Sequence, residues 1–132
     1  MKILLVDDKP HVRDTLKQVL EQQPFKYEAI LEASCDQSAI QLIETQQPDI
    51  IVTDASLLLL FKGAMLDRLE DQFLPSKIIV TSSHEFVLHA FGKGGIDTLR
   101  KPIDMDELKS ALLNTSFGSH QENVYGDFQE IQ

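Results

Sequence analysis

Acidic side chains follow two short apolar segments of the chain, and a hydroxyl and an ammonium follow two others. The acidic residues are Asp7, Asp8 and Asp54, and the other two groups are Thr81 and Lys101. Carboxylates that meet in a small space repel one another, so at neutral pH they raise a pKa or recruit a cation. An oxygen-rich site suits a hard divalent ion, and Mg²⁺ is favoured. With Mg²⁺ and Lys101 to offset charge, Asp54 could attack phosphorus and form an acyl phosphate while Thr81 donates a hydrogen bond to a phosphoryl oxygen.

The elements that position these groups are short apolar runs that alternate with amphipathic segments. The short runs cover residues 3–6, 29–31, 50–52, 78–80 and, more weakly, 98–99. The first, third and fourth are continuously apolar, which is typical of strands buried on both faces. Apolar stripes between them predict five helices: Val12, Leu16, Val19 and Leu20; Ala39, Ile40 and Ile43; Met65, Leu66 and Leu69; Val87, Ala90 and Phe91; Leu108, Ala111 and Leu112. The pattern predicts an α/β, flavodoxin-like (βα)5 fold with a doubly wound parallel sheet in strand order 2-1-3-4-5.

Local signals fix the starts of the first and last helices. Pro10 suits a first helical turn, and Asp104, with Glu107 three residues later, is a typical helix cap. In a sheet of this order the carboxyl ends of strands 1 and 3 are neighbours, so Asp7, Asp8 and Asp54 should converge. Function is therefore expected at the carboxyl edge of the sheet, with Lys101 beside the carboxylates.

Length and charge exclude several classes of protein. The chain has 132 residues, which suits one compact domain, and 12 basic against 21 acidic residues give a net charge of −9. No basic patch offsets that charge, so direct contact with nucleic acid or an anionic membrane is not expected. The longest apolar run, Leu57–Phe61, is far below the ~20 residues of a membrane span. A single cysteine, Cys35, suits a reducing cytosol, and we predict a cytoplasmic protein.

Four segments make the chain resemble the receiver domain of two-component response regulators over residues 1–114. They are ILLVDDKPHVRDTL at 3–16, PDIIVTD at 48–54, KIIVTS at 77–82 and GGIDTLRKPIDMDEL at 94–108. The resemblance implies that Asp54 is the phosphoacceptor and that Asp7 and Asp8 are the acidic pair that holds Mg²⁺. It also implies that Asp54 itself is a metal ligand, together with the backbone carbonyl of Ser56.

The resemblance also implies roles for the remaining residues and for partners. Thr81 matches the switch hydroxyl, and Lys101 matches the phosphate-contacting lysine with its usual neighbour Pro102. The implied phosphoryl donor is a phosphohistidine on a sensor histidine kinase, with small acyl phosphates as substitutes. Residues 82–102 look most like receivers attached to DNA-binding output domains of the LytTR or AraC type. Such a domain is a signalling module rather than an enzyme, and phosphorylation switches partner binding, dimerisation included, through the predicted fourth helix, fifth strand and fifth helix.

The chain turns polar after its last predicted helix. Residues 115–132 read TSFGSHQENVYGDFQEIQ and contain no Lys or Arg. We predict a receiver domain over residues 1–114 and a polar linker or tail over 115–132. The favoured interpretation is that this tail leads to an output domain, and a single-domain protein with a short tail is the alternative.

Two departures from the family pattern raise a second interpretation. Leu58 stands where a proline usually stiffens the loop after the phosphoacceptor, and Thr98 stands where a switch Tyr or Phe is usual. The run Leu57–Phe61 is either the start of a third helix packed into the core or an exposed patch for a partner. A degenerate receiver that binds partners without phosphorylation therefore stays open as the alternative function.

The enzymatic alternative is a phosphatase of the haloacid dehalogenase class. Its first motif needs a second acid two residues after the nucleophile. Here Asp7 is followed at that distance by Lys9, so the general acid is missing. This alternative is the least favoured of the three.

Overall fold

The computed structural model describes residues 1–23, 26–60, 77–93 and 96–116. These residues form one parallel sheet in the order β2-β1-β3-β4-β5. Its strands are β1 (Lys2–Val6), β2 (Ala29–Ala33), β3 (Ile50–Asp54), β4 (Lys77–Ser82) and β5 (Asp97–Arg100). The predicted flavodoxin-like (βα)5 fold and its strand order are confirmed.

Helices connect the strands and cover the sheet. They are α1 (Pro10–Glu21), α2 (Asp36–Gln46), α3 (residues 55–60, the described part), α4 (Glu85–Lys93) and α5 (Met105–Ser116). The third predicted stripe, at residues 65–69, and residues 117–132 of the predicted tail lie outside the described residues. No helix in the described part of the chain is both long and apolar enough to cross a membrane.

Alternating residues of the central strands fill two separate cores, one on each face of the sheet. Leu4 and Val6 of β1 pack with α2 and α3, whereas Ile3 and Leu5 pack with α1 and α5. All four side chains are at most 1% exposed. The continuous apolar run of β1 is explained by this arrangement, because both of its faces are covered by helices.

The helix starts follow the signals in the sequence. Pro10 occupies the first turn of α1, and the backbone N–H of Glu107 donates to Asp104 Oδ1 at 3.0 Å, which caps α5. The stripe predicted for α4 needs a correction. Ala90 is exposed, and Leu88 is the buried residue of α4. The helix begins at Glu85, and its sheet-facing side passes through Val87, Leu88 and Phe91.

Gln47, which ends α2, has a backbone angle that favours glycine. Its φ is 49°, in the left-handed region where a Cβ is unfavourable. We expect Gln47→Gly to raise the free energy of unfolding by about 0.5 to 1 kcal/mol, because glycine is the residue that most readily ends a helix in this conformation. Urea denaturation would measure the change. In the control Gln41→Gly, at an exposed position within α2, the same substitution should lower stability by about 1 kcal/mol. A loss of stability in Gln47→Gly would contradict the prediction.

Candidate functional site

Two central strands bring a pair of carboxylates to the carboxyl edge of the sheet. β1 and β3 pair in register with Val6 opposite Thr53, so Asp7 and Asp54 follow side by side. Asp7 is only 1% exposed, and Asp54 is half-buried. Asp8, the next residue along the chain, is exposed. The local fold thus buries the side chain of Asp7, leaves that of Asp54 at the protein surface and exposes that of Asp8 to solvent.

Lys101 joins the two inner carboxylates. Its Nζ lies 2.7 Å from Asp7 Oδ2 and 2.7 Å from Asp54 Oδ2, and its side chain is 15% exposed. The residue follows β5, and its backbone N–H donates to the carbonyl of Ser82 at 2.9 Å. The Lys101–Pro102 peptide bond is cis. Asp7, Asp54 and Lys101 therefore form a charged triad that we call the carboxylate–lysine bridge.

The bridge sets the charge states of its members. Burial would raise the pKa of Asp54, but the hydrogen bond and charge of Lys101, with backbone N–H groups of Ser56 and Leu57, hold that pKa below its ordinary value. Burial would likewise lower the pKa of Lys101, but hydrogen bonds to Asp54 and Asp7 and their charges raise it. Asp54 is therefore an ionised carboxylate at neutral pH.

The two hydroxyl residues of the site differ in their surroundings. Thr81 is 1% exposed and pairs in register with Asp54. Its Oγ1 donates to the carbonyl oxygen of Thr53 at 3.5 Å. Ser56 is exposed in the first turn of α3, and its backbone N–H donates to Asp54 Oδ1 at 2.8 Å. The backbone at Ser56 thus fixes the orientation of the Asp54 carboxylate.

A cavity of about 580 Å³ opens beside Asp54 and Lys101. Its walls come from the segments after β1, β3, β4 and β5, and they include Ser56, Ser83, His84, Lys9 and His11. Lys9 and His11 are not among the site residues predicted from the sequence. Lys9 could have been found, since it directly follows the acidic pair on the same loop. The cavity leaves room beside Asp54 for a group larger than a phosphoryl group.

The donor set of the carboxylate–lysine bridge suits a hard cation. Two carboxylates share one ammonium, so the bridge keeps one net negative charge, and oxygen is the ligand that Mg²⁺ prefers. Asp7 Oδ1 accepts the N–H of Lys9 at 2.9 Å. Within residues 1–23, 26–60, 77–93 and 96–116, no group of three or more His, Cys, Asp and Glu side chains is arranged to hold a metal ion. The acidic residues therefore supply the oxygen ligands that Mg²⁺ prefers, although the described residues do not form a preformed metal-binding cluster.

The two departures from the expected pattern have clear places in the fold. α3 begins directly after β3, and Leu58 is buried at 2% exposure, so this part of the predicted helix start packs into the core. Leu59 and Leu60 are exposed, and Phe61 lies outside the described residues. Thr98 is half-buried on β5 and lines a groove of about 600 Å³ that α4 and α5 also line.

Residues 3–113 match the family of response regulator receiver domains. The chain belongs to this family, whose members are signalling modules.

Relatives and solved structures agree with this assignment. The chain is 32% identical over 119 residues to the nitrate/nitrite response regulator protein NarL of Escherichia coli, covering 88% of this chain and 55% of NarL. It is 29% identical over 112 residues to the transcriptional regulatory protein BtsR of Escherichia coli, covering 85% of this chain and 46% of BtsR. The chain spans about half the length of the curated relatives it matches. The signal receiver domain of a LuxO-type repressor protein from Vibrio parahaemolyticus aligns with a TM-score of 0.70 at 25% identity, over 93% of this chain and 95% of that one.

Proposed function

We propose that this chain accepts a phosphoryl group on Asp54 from a phosphohistidine of a sensor histidine kinase, in a Mg²⁺-dependent reaction. The observation that carries the proposal is an ionised carboxylate, hydrogen-bonded to Lys101 at 2.7 Å, beside an open cavity. A carboxylate of this kind is a nucleophile that needs no general base, because it has no proton to lose.

In the proposed step, an oxygen of Asp54 forms a bond to phosphorus while the bond from phosphorus to the donor's imidazole nitrogen breaks. A small acyl phosphate can replace the kinase, and the bond that then breaks joins phosphorus to its carboxylate oxygen. The Ser56 N–H holds the carboxylate of Asp54 in place. Lys101, already 2.7 Å from Asp54, stays beside the incoming phosphoryl oxygens and offsets their negative charge.

Asp7, Asp8 and Asp54, with the backbone carbonyl of Ser56, would hold Mg²⁺. When bound, the ion supplies positive charge to the oxygens of the transferred group. The net negative charge of the carboxylate–lysine bridge favours this cation. Asp8 is exposed beside the two inner carboxylates, so it can complete the ligand set from the solvent side.

After transfer, we propose that Thr81 gives up its hydrogen bond to the Thr53 carbonyl and turns to the phosphoryl group. Partner binding then changes on the face formed by α4, β5 and α5, with a homodimer as one outcome. The receiver would occupy residues 1–114, and residues 115–132 would lead to an output domain that regulates transcription, as the names of NarL and BtsR suggest. The setting would be cytoplasmic, and the chain itself would not be an enzyme.

A receiver that binds partners without phosphorylation is the second candidate. It is favoured by Thr98, which has no aromatic ring to couple Thr81 to the α4–β5–α5 face. A phosphatase of the haloacid dehalogenase class is the weakest candidate, since the cavity has Lys9 where that class needs an acid.

Intact-mass measurement separates these candidates. With Mg²⁺ and a small acyl phosphate, the chain should gain one phosphoryl group, and an excess of chelator should prevent the gain. No added mass under these conditions would favour the silent receiver. Repeated release of phosphate from a generic phosphate ester would favour the phosphatase.

A further inference from the structure

Arg13 on α1 reaches the backbone of the acidic pair. Its Nη1 donates to the carbonyl oxygen of Asp7 at 2.6 Å, and its Nε donates to Glu32 Oε1 at 2.9 Å. The Arg13 side chain is 16% exposed and reaches from α1 to the ends of β1 and β2. A planar guanidinium with two partners in different directions has little freedom to turn.

The hydrogen bond to Asp7 matters because of where that carbonyl lies. The carbonyl of Asp7 and the N–H of Asp8 belong to one planar peptide unit. The N–H of Asp7 is already held by the Ala33 carbonyl at 3.1 Å, and its side chain is held by Lys9 and Lys101. Fixing the carbonyl therefore fixes the peptide that joins the two acids, and with it the direction in which Asp8 leaves the strand.

Glu32 anchors the guanidinium from β2. Its Oε1 accepts from Arg13, and its Oε2 accepts from Lys17 Nζ at 2.9 Å. The hydrogen bond from Lys17 is the largest of the effects that keep the pKa of Glu32 below its ordinary value, and Arg13 adds to it. Lys17 shares the carboxylate of Glu32 with Arg13, but Arg13 is the one of these two cations that also donates to the carbonyl oxygen of Asp7.

We infer that Arg13 is a positioning residue that holds the Asp7–Asp8 peptide in the orientation needed to bind Mg²⁺, and that Glu32 acts through Arg13. The inference rests on the proposed function of the acidic pair. Arg13 and Glu32 lie outside the site, and through the Asp7–Asp8 peptide they set the affinity of the site for its cation.

The sign of the effect separates this role from simple electrostatics. Removing a positive charge near an acidic site strengthens cation binding if only Coulomb attraction counts. If Arg13 positions the acidic pair, Arg13→Met weakens binding instead. Loss of a group that orients metal ligands typically costs about 10- to 100-fold in affinity.

The test is a titration of the whole chain with Mg²⁺ alone. Amide chemical shifts in ¹H–¹⁵N spectra report the binding of the ion at each step. Arg13→Met should bind Mg²⁺ at least about 10-fold more weakly than the unsubstituted chain. The matched control Lys17→Met, on the same helix and against the same carboxylate, should bind within about twofold of it. Glu32→Gln should also weaken Mg²⁺ binding, but by a smaller factor than Arg13→Met. The double variant should bind Mg²⁺ no more weakly than Arg13→Met alone, because Glu32 acts through Arg13.

Labelling with a small acyl phosphate supplies the second readout. At saturating Mg²⁺, Arg13→Met should label at close to the unsubstituted rate, because the defect lies in cation affinity.

Equal losses of labelling rate at every Mg²⁺ concentration, with a lower melting temperature, would show a merely structural role and overturn the inference. Unchanged or tighter Mg²⁺ binding in Arg13→Met would also overturn it, with the proposed function intact. If Arg13→Met does not fold, unchanged Mg²⁺ affinity in Glu32→Gln would overturn it as well. If the unsubstituted chain neither binds Mg²⁺ nor labels, the proposed function fails and the inference fails with it.

Discussion

Asp54→Asn is expected to abolish the gain of phosphoryl mass while leaving the fold intact. The amide nitrogen and oxygen of asparagine keep the shape of the carboxylate but carry no charge, so the nucleophile is lost. Removing one of the two carboxylates that share Lys101 does not leave the ammonium unpaired, since Asp7 remains at 2.7 Å. The measurement is intact mass after incubation with Mg²⁺ and a small acyl phosphate, together with a urea denaturation curve.

Asp14→Asn is the matched control for this substitution. Asp14 is an exposed residue of α1, so the same chemical change is made away from the cavity, and labelling should equal that of the unsubstituted chain. Labelling that survives in Asp54→Asn would show that another residue is the acceptor and that the site has been assigned wrongly.

Lys101→Met is expected to lower the free energy of unfolding by about 3 kcal/mol at pH 7, because it leaves two inner carboxylates without their ammonium. The side chains of Asp7 and Asp54 are 1% and 19% exposed, so solvent replaces little of what is lost. Urea denaturation measures the change. Lys26→Met, at an exposed lysine, should stay within about 0.5 kcal/mol of the unsubstituted chain.

The dependence on pH gives this prediction a second check. The pKa of Lys101 is raised above 10.5, so its stabilising effect is complete below that value and is lost as pH rises through the higher pKa. The pKa of Asp54 is lowered below 3.8, so its effect is complete above that value and is lost as pH falls through the lower pKa. Between those limits the bridge contributes a constant amount. In Lys101→Met, burial still raises the pKa of Asp54 but the opposing ammonium is gone, so stability should increase as pH falls from 7 to about 5. A flat curve in this variant would contradict the prediction.

The fold could be predicted from sequence because each central strand has helices on both faces. A strand such as β1 is then apolar throughout, and its run of Ile3 to Val6 stands out from the amphipathic segments around it. α4 was harder. Leu88 and Ala90 are both apolar and lie on opposite sides of the stripe formed by Val87 and Phe91, and Leu88 is the one that is buried. Periodicity gives the spacing of a buried face, but packing against the sheet decides which neighbouring residue joins it.

The site could be predicted only in part, because type and order of residues do not define contacts. Strand order was enough to bring Asp7 beside Asp54 and to put Lys101 at the same edge. It did not reveal that the Lys101 ammonium lies between the two carboxylates. Arg13 was missed because its target is a backbone carbonyl, and the sequence carries no signal for a main-chain acceptor.

The carboxylate–lysine bridge joins parts of the chain that are far apart in sequence. Lys101 lies 94 residues from Asp7 and 47 residues from Asp54. Contacts of such long range are slow to form, because the entropy of the intervening chain must be lost before the contact stabilises the fold. Lys101 directly follows β5, so the bridge closes when β5 joins the sheet. Under the proposed function, competence to receive a phosphoryl group would in this way be tied to completion of the whole domain.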